Sequence, residues 1–186
     1  MNIKDNYIQT YAGHRFHPFD KTRQEICIQD ISQALSNICR FTGHTKEFYS
    51  VAQHSVLCSL KASPDAALYA LLHDASEAYL GDITRPIKIT PHMEFYLAAE
   101  AGIQWHINKR FGLHPGWAPP QIAAEVKEID NRMLFTEKRD LLPHNLNWGY
   151  EMEPYPEVIE PLPPKDAKLL FLKRFAELYN PVTTDN

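Results

Sequence analysis

The sequence predicts an all-α fold of about six or seven helices. Two observations lead there. Apolar residues recur at three- and four-residue intervals along several long segments, the period of a helix with one buried face. Serine, proline and glycine stand between those segments, where helices start and stop. The length, 186 residues, suits one domain with a sizeable core, and 44% hydrophobic against 23% charged residues is an ordinary globular balance.

Taken in order, the first 27 residues are irregular. Tyr11 to Asp20 mixes aromatics with Gly13 and Pro18 and predicts a short strand or hairpin. Ile28, Ile31, Leu35, Ile38 and Cys39 form one stripe of a helix over 28–39, with Asp30 in its first turn, where the helix dipole favours an anion. A polar loop, Arg40 to Ser50, follows. Ser50 is placed to cap a helix over 51–61. Ser63 and Pro64 predict the start of the next helix, which runs to Leu80 and stops at Gly81. Residues 82–90 read as a loop broken by Pro86. Pro91 opens a helix to Phe111, and another spans 121–142 with Ile122, Val126, Ile129, Met133 and Leu134 inward. The proline-rich segment 143–164 is long for a loop and carries Trp148, Tyr150 and Tyr155, which predicts a packed lid or a subunit contact. A helix over 165–179 closes the chain, followed by a loose tail. The whole chain, 1–186, reads as one domain whose ligand-bearing core is about residues 28–135.

A formal net charge of −4 gives no basic field for a nucleic-acid polymer. No N-terminal apolar run or 18-residue apolar stretch points to export or a membrane. Cys27, Cys39 and Cys58 form no CxxC pair and fit small buried residues of a reducing compartment, so a cytoplasmic location is expected. The aromatic loop suggests a homo-oligomer.

Chemistry concentrates in Leu71 to Lys88. On a helix His73 and Glu77 are one turn apart, and Asp74 neighbours Glu77. An imidazole beside carboxylates on an apolar helix is how a divalent cation is held next to a general acid or base. His54 and Asp130 lie on two other helices of apolar character. His54, His73, Asp74 and Asp130 together offer two imidazoles and two carboxylates, a set suited to one ion such as Mn, Co, Fe, Ni, Zn or Mg. His92, His106, His114 and His144 fall in no ligand pattern, so a single ion is expected.

A His, then adjacent His-Asp, then a distant Asp resembles the HD superfamily of metal-dependent phosphohydrolases, which are all-helical. Ser50-Val51-Ala52-Gln53-His54-Ser55 looks like that family's first-ligand helix. His73 to Glu77, followed by Gly81-Asp82, Pro86 and Lys88, resembles the HD-type 5′-deoxynucleotidases and the phage enzymes that hydrolyse dATP. Arg40-Phe41 falls near the Arg-Trp of the deoxynucleotidases, and the Phe in place of Trp bears on base preference.

The resemblance implies that the four ligands hold one ion. Glu77 would transfer a proton and Asp82 would position water. Arg40 and Lys88 would clamp phosphate oxygens, and Phe41 would stack on the base or pack beneath the sugar. Phe16, His44 and Tyr49 are further pocket candidates. The expected substrate is a deoxynucleoside 5′-monophosphate or a triphosphate such as dATP. A non-catalytic nucleotide sensor and a di-iron oxygenase are the alternatives.

Overall fold

In the computed structural model, which describes residues 6–20, 24–116 and 118–179, the expected hairpin is present as β1 (Ile8–Gln9) and β2 (Arg15–Phe16). The strands are antiparallel, with Ile8 opposite Phe16, and Gly13 takes the turn's positive φ of 86°. The hairpin is anchored by Asp30. Its buried carboxylate accepts the Ala12 N–H at 2.6 Å and faces His14 Nδ1 at 3.2 Å. The residue expected to complement a dipole therefore also fastens two segments together.

Helix α1 (Ile28–Asn37) stops short of 39, because Ile38 and Cys39 turn extended. Cys39 bridges Ser50, so the polar loop leaves and returns at one place. Ser50 caps α2 (Val51–Lys61) as its side chain predicts, accepting the Gln53 N–H at 3.2 Å. Helix α2 is central: it packs on α1 and on three later elements, α3 (Ala67–Leu72), α7 (Pro120–Leu141) and α8 (Pro164–Leu178). One apolar cluster joins Phe16, Ile31, Leu35, Val51, Leu71 and Phe171. A second joins Tyr49, Cys58, Ala70, Ile129, Met133 and Leu141.

The predicted helix over 64–80 is interrupted, and side chains cause the break. Ser63 does not cap it: its N–H and hydroxyl both bond Glu125, and α3 begins only at Ala67. At the other end His73 Nδ1 takes the Ala70 carbonyl, at 2.7 Å, the acceptor an α-helix would offer to residue 74. Gln104 enters the next rung. Its amide donates to Leu72 O at 2.9 Å while its oxygen accepts from Ser76 N at 3.3 Å. A side chain inserted into the backbone ladder breaks a helix. The chain tightens to i→i+3 bonds, among them Glu77 N to Asp74 O at 3.0 Å, before α4 (Glu77–Leu80). Gly81, at φ 80° and ψ 158°, ends it in a conformation that other residues resist.

Pro86 lies in a one-turn helix, α5 (Arg85–Lys88), rather than a loop. A 3-10 turn at Pro91–Met93 leads into α6 (Glu94–Arg110), close to the predicted bounds.

Segment 143–164 is a strap, not a lid. Arg132 and Arg139 donate to the carbonyls of Glu153, Tyr155 and Glu157, while Gln53 bonds both Glu160 O and Leu162 N. Tyr155 lies beneath Arg132 and Lys61, and Trp148 and Tyr150 pack on Phe135. Those aromatics pack against the chain itself, with Tyr150 still 49% exposed. No helix among the described residues is long and apolar enough to cross a membrane. The tail from residue 180 on lies outside the described residues.

Candidate metal centre

The four expected ligands meet. His54 comes from α2, His73 and Asp74 from the turns after α3, and Asp130 from the middle of α7. His54 Nε2 is 3.3 Å from His73 Nε2, 3.6 Å from Asp74 Oδ2 and 3.5 Å from Asp130 Oδ1. His73 Nε2 is 3.2 Å from Asp74 Oδ2 and 4.0 Å from Asp130 Oδ1. Bonds of about 2.0–2.2 Å to a divalent ion put neighbouring ligand atoms roughly 3.0–3.6 Å apart. The observed edges fit that range, with the longest slightly outside it.

The tautomers strengthen the fit. A carbonyl only accepts, so His73 Nδ1 carries a proton toward Ala70 O. His54 Nδ1 faces Glu137 Oε1 at 2.6 Å and donates to it. In the neutral form each imidazole then aims a bare lone pair from Nε2 at the same point as two carboxylate oxygens. Four acceptors facing one another repel unless something positive stands between them. The electrostatics of the four side chains point the same way. Burial disfavours a charged imidazole, yet the Asp74 carboxylate overrides it and pushes His73 up to about 9. His54 is likewise raised against burial and the nearby Arg40 charge, with Glu137 and Asp130 among the groups raising it. Asp74 and Asp130 are held low in spite of burial, chiefly by the two histidines. The four side chains together favour positive charge at their centre.

Sequence reasoning missed Glu137. It is fully buried and collects three donors: His54 Nδ1, the Tyr49 hydroxyl at 3.0 Å, and Arg40 through Nε at 3.2 Å and Nη2 at 2.9 Å. A signal existed, since Glu137 follows Asp130 by two helical turns on the same face. Partners of this kind fix ligand orientation and basicity. Cys58, one turn after His54, also borders the site. Its Sγ lies 3.6 Å from Nε2 and 3.9 Å from Nδ1 of His54, so it flanks the ring rather than facing the Nε2 lone pair. It packs there and is no ligand in this geometry.

The expected phosphate clamps separate. Arg40 is spent on Glu137, with Nη1 3.6 Å from Asp74 Oδ2, and belongs to the support of the site. The loop places it there: Arg40 N bonds Tyr49 O at 2.9 Å, so both side chains reach Glu137 together. Beside it Phe41 and Thr42 both hold φ 53°, a left-handed conformation that costs about 1–2 kcal/mol per residue. Phe41 packs under the Arg40 guanidinium, with 5.6 Å from charge to ring centre. Tyr49 is buried as a donor to Glu137, and His44 is exposed. Phe16 requires correction: it is fully buried and stacked on Tyr79 at 3.8 Å, a core residue with no surface for a ligand.

Lys88 does line the cleft that opens beside the ligands. The cleft, about 980 Å³, runs between His73, Asp74 and Glu77 on one side and α6 with the start of α7 on the other. Glu77 is buried, with Oε1 3.4 Å from Lys88 Nζ and Oε2 without a partner. Burial, then the Asp74 and Asp82 charges, push its carboxyl up to about 9, so it holds a proton at neutral pH. Asp82 is raised too, mainly by burial. Trp105 and Leu97, both 38% exposed, form part of the far wall.

No family model matches the chain. The chain is similar to the uncharacterized protein YfdR of Escherichia coli (strain K12), 40% identical over 179 residues, which cover 93% of this chain and 96% of YfdR. It is also similar to the uncharacterized protein RCAP_rcc00048 of Rhodobacter capsulatus, 34% identical over 137 residues and 69% of each chain. Identity of that degree over nearly the full length places the chain in one family with YfdR.

Proposed function

We propose that the protein is a metal-dependent phosphohydrolase of the HD type, acting on nucleotides and on deoxynucleotides foremost. The observation that carries this reading is the convergence of His54, His73, Asp74 and Asp130 on one point, beside a cleft lined also by Glu77 and Lys88. When bound there, a divalent ion supplies positive charge for phosphate oxygens and lowers the pKa of water to about 7. The remaining work falls to the chain. Lys88 offers ammonium protons to the phosphate. Glu77 holds a proton on the cleft side of the ligands, where it can pass to a leaving oxygen. Asp82 orients water, and the Glu137–Arg40–Tyr49 network keeps His54 and Asp74 aimed.

A nucleotide suits the cleft in size, since ligand pockets run to about 300–1,000 Å³. The apolar far wall suits a base and a sugar lacking the 2′-hydroxyl, although apolar contact alone rejects a hydroxyl by only about 10². The test is a panel of ribo- and deoxyribonucleoside mono- and triphosphates with Mn, Co, Zn, Ni, Fe and Mg. Release of orthophosphate or triphosphate in the presence of one of these ions is expected. Tight nucleotide binding with no product under any of them would favour the sensor and sink the hydrolase. A cytoplasmic location accompanies this reading.

A further inference from the structure

Helix α6 carries a polar row, Tyr96, Glu100, Gln104 and Asn108, each one turn from the next. The row faces the broken segment 72–88 and holds it rung by rung. Tyr96 donates to Gly81 O at 3.0 Å. Glu100 accepts from Lys88 at 2.7 Å. Gln104 bonds both Leu72 O and Ser76 N, and donates to Asn108 Oδ1 at 3.0 Å. Three of these contacts fix backbone. The Glu100 contact fixes a side-chain charge.

We propose that Glu100 is a positioning residue for the substrate phosphate, acting through Lys88; this rests on the phosphohydrolase reading. Lys88 sits on a single helical turn whose other residues, Arg85, Pro86 and Ile87, are exposed, so its own element holds it weakly. Its ammonium group has three N–H donors. One is taken by Glu100 Oε1 at 2.7 Å, and Glu77 Oε1 lies at a long 3.4 Å. The third remains for a phosphate oxygen. Tyr96 adds a ring 5.8 Å from Nζ. Without Glu100 the ammonium relaxes onto Glu77, the other carboxyl in reach, and leaves the place where phosphate is met. Glu100 thus keeps the clamp and the proton-holding carboxyl apart.

The test compares E100A, E100Q, K88M and the E100A/K88M double variant. Steady-state kinetics use the best nucleotide and ion from the panel. Inorganic phosphate binding to the ion-loaded protein is measured by calorimetry alongside. E100A is expected to raise KM about tenfold, with a smaller fall in kcat, and to weaken phosphate binding equally. E100Q keeps an acceptor oxygen and recovers part of the loss. In the K88M background E100A is expected to add nothing, because the residue it positions is gone. Full additivity of the two substitutions, or an E100A variant with unchanged KM and phosphate affinity, would overturn the proposal while leaving the hydrolase standing. Phosphate coupling through Glu100 and Lys88 without hydrolysis of any ester would sink the hydrolase and keep the positioning role. Wild-type protein that neither binds phosphate nor hydrolyses any nucleotide of the panel would remove both.

Discussion

His54 is enclosed by Glu137, Tyr49 and Arg40 and has no exposed surface, whereas Lys88, on the other side of the site, is 22% exposed and faces the side chains of Glu100 and Glu77 at a cleft. The enclosed side has nearly every hydrogen-bonding atom committed. The cleft side keeps Glu77 Oε2 unpartnered. Hydrogen-bonding capacity is committed around the candidate ligand His54 and left spare at the cleft. The contrast implies that damage to the enclosed side is felt as lost ion and lost stability, and damage to the cleft side as lost turnover.

Replacing a ligand erases both at once. His73→Ala is expected to abolish ion binding and turnover together, read by metal content after dialysis and by the nucleotide panel. A variant that still holds one ion per chain with native affinity would break the assignment. Next comes Glu77→Gln, which removes a transferable proton and leaves the ion. Turnover should fall about 10²–10⁴-fold, the usual contribution of a positioned acid or base, with metal content unchanged.

Glu137→Ala probes the enclosed side. It leaves Arg40 and His54 Nδ1 buried without their acceptor, and breaking a buried pair costs about 3–5 kcal/mol. Ion affinity should drop a further 10–100-fold, as for other supporting partners of metal ligands. Chemical denaturation and metal titration read the two losses separately.

Acidity gives a smaller, cleaner separation. In the ion-free protein His73 is raised from its ordinary value near 6.5 to about 9. A base with a raised folded pKa adds stability that is complete below the unfolded value and is lost as pH rises through the folded one. Glu77, raised from 4.5 to about 9, acts in the same direction, but its loss begins near pH 4.5 and overlaps that of His73 above about 6.5. The ion-free protein should therefore lose Tm between about pH 6.5 and 9. The ion-loaded protein, in which His73 is already neutral, should lose less, and ion affinity should climb with pH over that range. Equal slopes with and without ion would contradict the assigned ligand. Least of all, Tyr155→Ala in the strap should cost about 1–2 kcal/mol through two cation–π contacts, with turnover retained.

That His54, His73, Asp74 and Asp130 would meet was legible because they are residue types that an apolar helix does not otherwise need. Glu137 was hidden because a glutamate on a helix is ordinarily a surface residue, and nothing local says that Arg40, Tyr49 and His54 will surround it. Phe16 misled for the opposite reason. An aromatic in an irregular N-terminal segment suits a pocket wall as well as a core, and only the docking of the hairpin on α1 and Tyr79 decided between them. The break after α3 was invisible because the group that makes it, Gln104, lies 28 residues beyond Ser76.

Helical period, the serine cap at 50, the glycine stop at 81 and the roster of candidate ligands were set locally, by torsional preference and by the spacing of apolar residues over a few turns. Which oxygens meet which nitrogens was not. That depended on segments distant in sequence arriving side by side, where burial removes water and makes every unpaired donor or acceptor seek a partner. The ladder on α6, the acceptor at Glu137 and the division of labour between Arg40 and Lys88 exist only at that level.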